Sequence, residues 1–240
     1  MDSNRAAENL AVIRQLMERP VRISTQSGLG AILAGCAALA GIVIDWLISG
    51  RSGRGGEGGF SPFGYFGVAD YYYPSSMTAF DPFTAAWLNL AVWAVVFVVA
   101  VAAALGVVRF REVRRGLPFW TPARRRMLAT IIWPFVIGAG LTAAIVYHGF
   151  VGDRWSEFGL IPAIWMLTYG LACWNMGQYS IREIRVMGAA FMVVGLLTAA
   201  FFQFDFPGLQ PGLAPYATLG ATFGGFHIVY GIVVWVRHGG

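Results

Sequence analysis

Six stretches of this chain contain neither arginine nor lysine: 28–48, 84–108, 127–147, 158–176, 186–204 and 216–236. At about 1.5 Å of rise per residue, helices of these lengths match a hydrocarbon core of roughly 30 Å. Lipid offers the backbone N–H and C=O groups no partners, so such stretches must be helical. The expected fold is all-α, a polytopic transmembrane bundle of six spanning helices. Composition points the same way. With 57% hydrophobic and 12% charged residues, a chain of 240 residues has more apolar surface than a soluble fold can hide.

Local signals agree with the span assignment. Asp81-Pro82 and Thr121-Pro122 each put a capping residue before a proline at the first helical position, and Ser180 with Glu183 reads as a capping box. Small residues recur at helical spacing: Ser27, Ala31, Gly35 and Ala38 in the first span, Gly138 with Thr142 in the third, Gly195 with Ala199 in the fifth, Gly220 with Gly224 in the sixth. Such stripes let helix backbones approach closely and predict a compact bundle rather than a wide pore. Pro134 and Pro162 fall inside spans three and four, where a proline kinks the helix or frees a carbonyl.

The arginines orient the bundle. Fourteen of the 17 lie in the N-terminal arm, the 109–126 and 177–185 loops and the tail, and three in the alternating loops. The positive-inside bias then places both termini in the cytoplasm. Arm 1–27 carries Leu10, Ile13, Met17 and Val21 at helical spacing, the pattern of an amphipathic helix lying on the membrane or packed on the protein's own loops. Residues 28–236 form the transmembrane domain, and 237–240 a short cytoplasmic tail. The outer loop 49–83 opens glycine-rich and then turns aromatic, with Phe60, Phe63, Tyr65, Phe66, Tyr71, Tyr72 and Tyr73 among its rings. A solvated linker does not carry that load. The rings either fold over the outer mouth of the bundle or contact a partner protein.

Every basic residue besides histidine is arginine. No Schiff base, lysine-linked cofactor or Walker lysine is possible. Cys36 and Cys173 sit inside spans without a ligand set, so neither a disulfide nor a metal site is expected, and they read as small buried hydrophobes. His227 lies eleven residues into the last span, near the bilayer midplane. There it is either a ligand-binding group, with Tyr230 one turn away as its partner, or an imidazole bonded within the bundle. His148, at the outer end of the third span, is roughly 15 Å higher. The two histidines cannot clasp one haem, so a bis-histidine haem is not expected.

Asp45 is the one carboxylate inside a span. It is expected to lie level with His148, near Asp153, Arg154 and Glu157, either as an outward polar cluster or as an interfacial carboxylate paired with Arg51 or Arg154. Asn89, Asn175 and Gln203 read as hydrogen-bonding groups between helices. Arg109, Arg111, Arg114, Arg115, Arg124, Arg125 and Arg126 flank the Gly116–Trp120 turn, where they set topology and meet anionic lipid headgroups. Phe119 and Trp120 read there as interfacial anchors, and no nucleic-acid partner is expected.

Tyr147-His148-Gly149, Gln178-Tyr179-Ser180-Ile181-Arg182-Glu183-Ile184-Arg185, Phe226-His227-Ile228-Val229-Tyr230-Gly231 and Ile13-Arg14-Gln15-Leu16-Met17-Glu18-Arg19 together resemble a family of uncharacterised six-helix bacterial integral membrane proteins. The similarity covers most of the chain outside 49–83. It implies the bacterial cytoplasmic (inner) membrane and the six-span topology, and it brings no activity.

Three functions fit these residues. The first is a non-enzymatic accessory or scaffold subunit of a larger membrane complex, with lipid and a membrane protein as partners. The second is a carrier or sensor of a small hydrophobic ligand held near His227. The third, an intramembrane enzyme, lacks a carboxylate pair or a nucleophile–base pair at shared depth in the sequence reading.

Overall fold

The computed structural model describes residues 27–51, 82–116, 118–152, 155–201 and 213–238. All regular elements among them are helical: α1 (Gly28–Arg51), α2 (Pro82–Arg114), α3 (Pro122–Gly152), α4 (Ile161–Met176), α5 (Arg182–Phe201) and α6. Helix α6 is composite, with an α-helical segment Leu213–Leu219, a π-helical segment Gly220–Phe226 and an α-helical segment His227–His238. The amphipathic arm up to residue 26, the aromatic loop residues and Asp153, Arg154 and Gln203 fall outside the described residues.

Five of the six helices are long and apolar enough to cross a membrane. The exception is α4, with 16 residues. Pro162 explains the difference. It stands in the first turn of α4, where its missing N–H leaves nothing unbonded, and the residues before it wind as a tighter 3-10 helix, Trp155–Leu160. The expected kink within a span is thus replaced by a helix start. Pro134 does interrupt a helix, α3. A proline there cannot donate to the carbonyl of Thr130, and Asn175 of α4 supplies the donor instead, its Nδ2 lying 3.4 Å from that oxygen.

Neighbouring helices pack antiparallel at glycines. A side chain at Gly28 would run into the Gly231 carbonyl, and one at Gly35 into the Gly224 carbonyl, which fixes α1 against α6. Gly170 and Gly188 meet backbone to backbone between α4 and α5, and Gly195 faces Met166 and Leu167 in the same interface. Gly138 of α3 faces Thr168 of α4, while Gly41 and Gly30 of α1 face Val96 and Ala104 of α2. Without a hydrophobic drive between helices in lipid, this closeness supplies the dispersion contact that holds them together. The core cluster contains Phe191, Met166, Ile184, Cys173 and Phe158, drawn mostly from α4 and α5.

At the arginine-rich end the turn between α2 and α3 closes on a buried ion pair. Both terminal nitrogens of Arg124 reach the Glu112 carboxylate, one at 2.6 Å, and the Phe119 carbonyl accepts from the same guanidinium. That guanidinium lies 4.6 Å over the Phe119 ring, and Arg124 is 3% exposed. The Thr121 hydroxyl accepts from the Arg124 N–H at 3.2 Å, so the Thr121-Pro122 cap forms as the sequence predicts.

The capping box at Ser180 does not form. The Ser180 hydroxyl is buried without a hydrogen-bond partner, and α5 starts at Arg182. Glu183 turns to the end of α6 instead, 3.3 Å from Arg237 Nη1 and 3.5 Å from His238 Nε2. The residues expected to form a free tail therefore extend α6 to His238 and tie it to α5.

Candidate functional site

The π-helical segment reads Gly-Ala-Thr-Phe-Gly-Gly-Phe, a run of low helix propensity. Thr222 sends its hydroxyl back to the Thr218 carbonyl at 2.7 Å, a bond that competes with regular winding. A single wide turn of this kind places the next residues on a different face from the one an unbroken α-helix would give them. The first residue after it is His227.

His227 is 7% exposed, and its Nε2 lies 2.5 Å from the Tyr169 hydroxyl of α4. Phe223 stacks on the imidazole at 16° between planes, and Phe191 meets it edge-on at 5.6 Å. Phe191, fully buried, also contacts Tyr169, Phe223 and Phe226. The aromatic contacts continue from Tyr169 through Phe135 of α3 to Phe97 of α2, with Trp165 alongside. Trp165 donates to Thr142 of α3 at 3.1 Å. Each such ring pair adds about 0.5–1.5 kcal/mol beyond its buried area.

Tyr230 is not the partner that spacing suggests for His227. Its hydroxyl is buried and has no hydrogen-bond partner, nor does His227 Nδ1. Cys173, one turn along α4 from Tyr169, is 1% exposed and completes the group. When the Tyr169 O–H donates to Nε2, the proton of a neutral imidazole sits on Nδ1, and the Thr222 and Phe223 carbonyls are the acceptors offered to the ring. When Nε2–H donates instead, Nδ1 is a bare acceptor and the Tyr169 proton turns to the Cys173 sulfur. In both arrangements the Tyr230 hydroxyl stays open. Tyr169 and His227 thus share a depth and are in contact. Tyr169 was missed, although it lies eleven residues into span 158–176, just as His227 lies eleven into 216–236.

The outer polar cluster expected around Asp45 divides in two. Asp45 is fully buried between α1 and α2, where its Oδ2 accepts from Trp93 Nε1 at 3.0 Å. Its Oδ1 and both amide atoms of Asn89, one turn from Trp93, have no partner among the described residues. His148 pairs elsewhere, its Nδ1 3.5 Å from Glu157 Oε2 and its side chain 54% exposed. Asp45 is thus neither an exposed interfacial carboxylate nor part of the His148 pair.

Of the seven arginines flanking the turn, Arg124 is taken inside the hairpin, while Arg109, Arg114, Arg115, Arg125 and Arg126 are exposed and Arg111 is half-buried. Arg114 lies 4.2 Å over the Phe110 ring. Cys173 is buried as expected, and Cys36 is exposed. Among the described residues, no group of three histidine, cysteine or acidic side chains could hold a metal ion. No family model matches this chain, and neither does any curated protein or solved structure.

Proposed function

We propose that this chain is a non-enzymatic integral membrane protein, an accessory or scaffold subunit of a larger complex in the bacterial cytoplasmic membrane, with both termini on the cytoplasmic side. The observation that carries the reading is the fate of the small residues. Glycines across the bundle are spent on contacts inside the chain, whereas a side chain at Gly106 of α2 or Gly140 of α3 would meet nothing within 4 Å. Ala102 stands one turn from Gly106, and Ala144 one turn from Gly140, all four exposed. Around them Val98, Val99, Leu105, Val136, Ile137 and Leu141 are exposed too. The most apolar stretch of α2 buries none of its residues. Small residues bordered by branched side chains form the surface against which a second transmembrane helix packs best. The aromatic loop 49–83 supplies the contact outside the bilayer.

Purification of the intact chain in mild detergent tests the reading. A stoichiometric membrane partner should accompany it, and the variants G106L and G140L should release that partner while the melting temperature holds. A lone monomer from native membranes would overturn it.

The unpaired Tyr230 hydroxyl, one turn from the His227 that follows the π turn, favours a second reading. Here a small hydrophobic ligand with one polar atom is carried or sensed between α4 and α6. Buried polar atoms without partners invite a ligand or water that satisfies them, and π turns gather at functional sites. Replacing His227 with Phe should then abolish ligand retention while leaving partner binding intact.

A further inference from the structure

Where α4 gives way to α5, at the arginine-rich end, a groove of about 560 Å³ opens, lined by Trp174, Gln178, Ser180, Arg182, Arg185 and Val186. We propose that it holds the phosphate group of an anionic glycerophospholipid. The assignment rests on the membrane placement of the bundle and is independent of whether the chain is a scaffold or a carrier.

The groove has a rigid cationic side. Arg185 lies across Gly177, so closely that a side chain there would collide with Arg185 Cγ, and its Nε donates to the Gly177 carbonyl at 2.8 Å. This fixes the guanidinium and leaves its two terminal nitrogens to face an anion in the bidentate way that suits phosphate oxygens. Arg182 is exposed and has no carboxylate partner among the described residues, since neighbouring Glu183 is engaged by Arg237 and His238. The Ser180 hydroxyl belongs to the same groove as the two arginines. It is 7% exposed, lines the groove, and has no hydrogen-bond partner. A buried hydroxyl without a partner costs about 1–3 kcal/mol, and a phosphate oxygen in the groove relieves that cost. The first turn of α5 adds the positive end of a 20-residue helix beside it.

The apolar side selects a lipid over a free anion. Trp174 is 41% exposed and Val186 61% exposed, and both border the groove. Leu171 continues the Trp174 face one turn along α4, and Val193 continues the Val186 face two turns along α5, each exposed. A molecule bound by its phosphate at the arginines thus finds an exposed apolar strip running along α4 and α5 away from the arginine-rich end, which fits acyl chains and gives inorganic phosphate nothing.

Native mass spectrometry of the intact protein in detergent, with phosphatidylglycerol or phosphatidylcholine added, tests the assignment. One phosphatidylglycerol should stay bound in preference to phosphatidylcholine, and R182Q/R185Q should cut the bound fraction roughly tenfold. R182Q and S180A, which remove no internal contact, should each lower it as well and cover the case in which the double variant does not fold. R125Q/R126Q, at exposed arginines of the other turn that meet headgroups without a groove, should lower it much less than R182Q/R185Q does. The assignment fails if the groove variants retain the lipid, if phosphatidylcholine binds equally, or if R125Q/R126Q weakens binding as much. It also fails if inorganic phosphate displaces the lipid and raises the melting temperature of the parent but not of R182Q/R185Q, since the groove would then serve a free anion.

Discussion

The α4–α5 interface and the outer face of α2 use the same residue types in opposite ways. Between α4 and α5, Gly170 and Gly188 let the backbones meet, and Phe191 and Met166 fill the space beside them with no exposure at all. On α2, Gly106 touches nothing, and Val95, Val98 and Val99 around it are about half exposed or more. Small and branched side chains in sequence therefore do not say whether a helix face is internal. What separates the two regions is what stands opposite: α5 presents Gly188 and Met192 to Gly170 of α4, while nothing among the described residues stands within 4 Å of a carbon added at Gly106 of α2. The hairpin end of α2 is nevertheless anchored firmly by Arg124, so one helix is held at its polar end and left open along its apolar length.

Substitutions can break that contrast. The largest effect is expected for G188L, which drives a side chain into the Gly170 carbonyl and Trp174 N, both under 3 Å from the added carbon. Backbone cannot yield as a side chain can, so the cost should exceed the ~1–3 kcal/mol of ordinary overpacking, read as loss of folded protein in detergent. Next is R124A, which strands Glu112 beside a carbonyl. It should cost about 3 kcal/mol, measured by denaturant unfolding, and R124K should recover only part of this because a point charge cannot grip both carboxylate oxygens. Y169F removes one buried hydrogen bond and should cost about 1–2 kcal/mol while leaving the aromatic packing in place. Smallest is G106L, expected within about 0.5 kcal/mol of the parent in isolation. If G106L destabilised the isolated chain as G188L does, the distinction between spent and open faces would be lost.

Much of the bundle could be read from the chain alone, because hydropathy and arginine placement act over whole helices. The start at Pro122 followed from local rules, since a cap needs only residues adjacent in sequence. The start of α4 did not. Pro162 is compatible with either a kinked interior or a first turn, and only the 3-10 helix before it decides between them. The Ser180 box failed for a related reason: Glu183 has a stronger partner in Arg237, 54 residues away and beyond any local pattern. His227 was legible as a polar residue at depth, but its partner depends on the face that α6 turns to α4. That face is set by the π turn, which no hydrophobic period announces. Asp45 was placed by level alone, and level leaves open which neighbouring helix holds it. Trp93, whose indole N–H it takes, carries no sequence mark that sets it apart from the other apolar residues of span 84–108.

The widened turn at Gly220–Phe226 also makes chain length there matter as much as side-chain chemistry. Each residue of ordinary helix advances the wheel by about 100°. Regular winding of the segment at its present length would swing everything before it round by about that angle, so that Tyr216 and Leu219, both now buried, would turn away from their neighbours while the imidazole kept its place. The wide turn thus absorbs one surplus residue and keeps both halves in phase, and a one-residue deletion there would remove the bulge while leaving the halves nearly where they are.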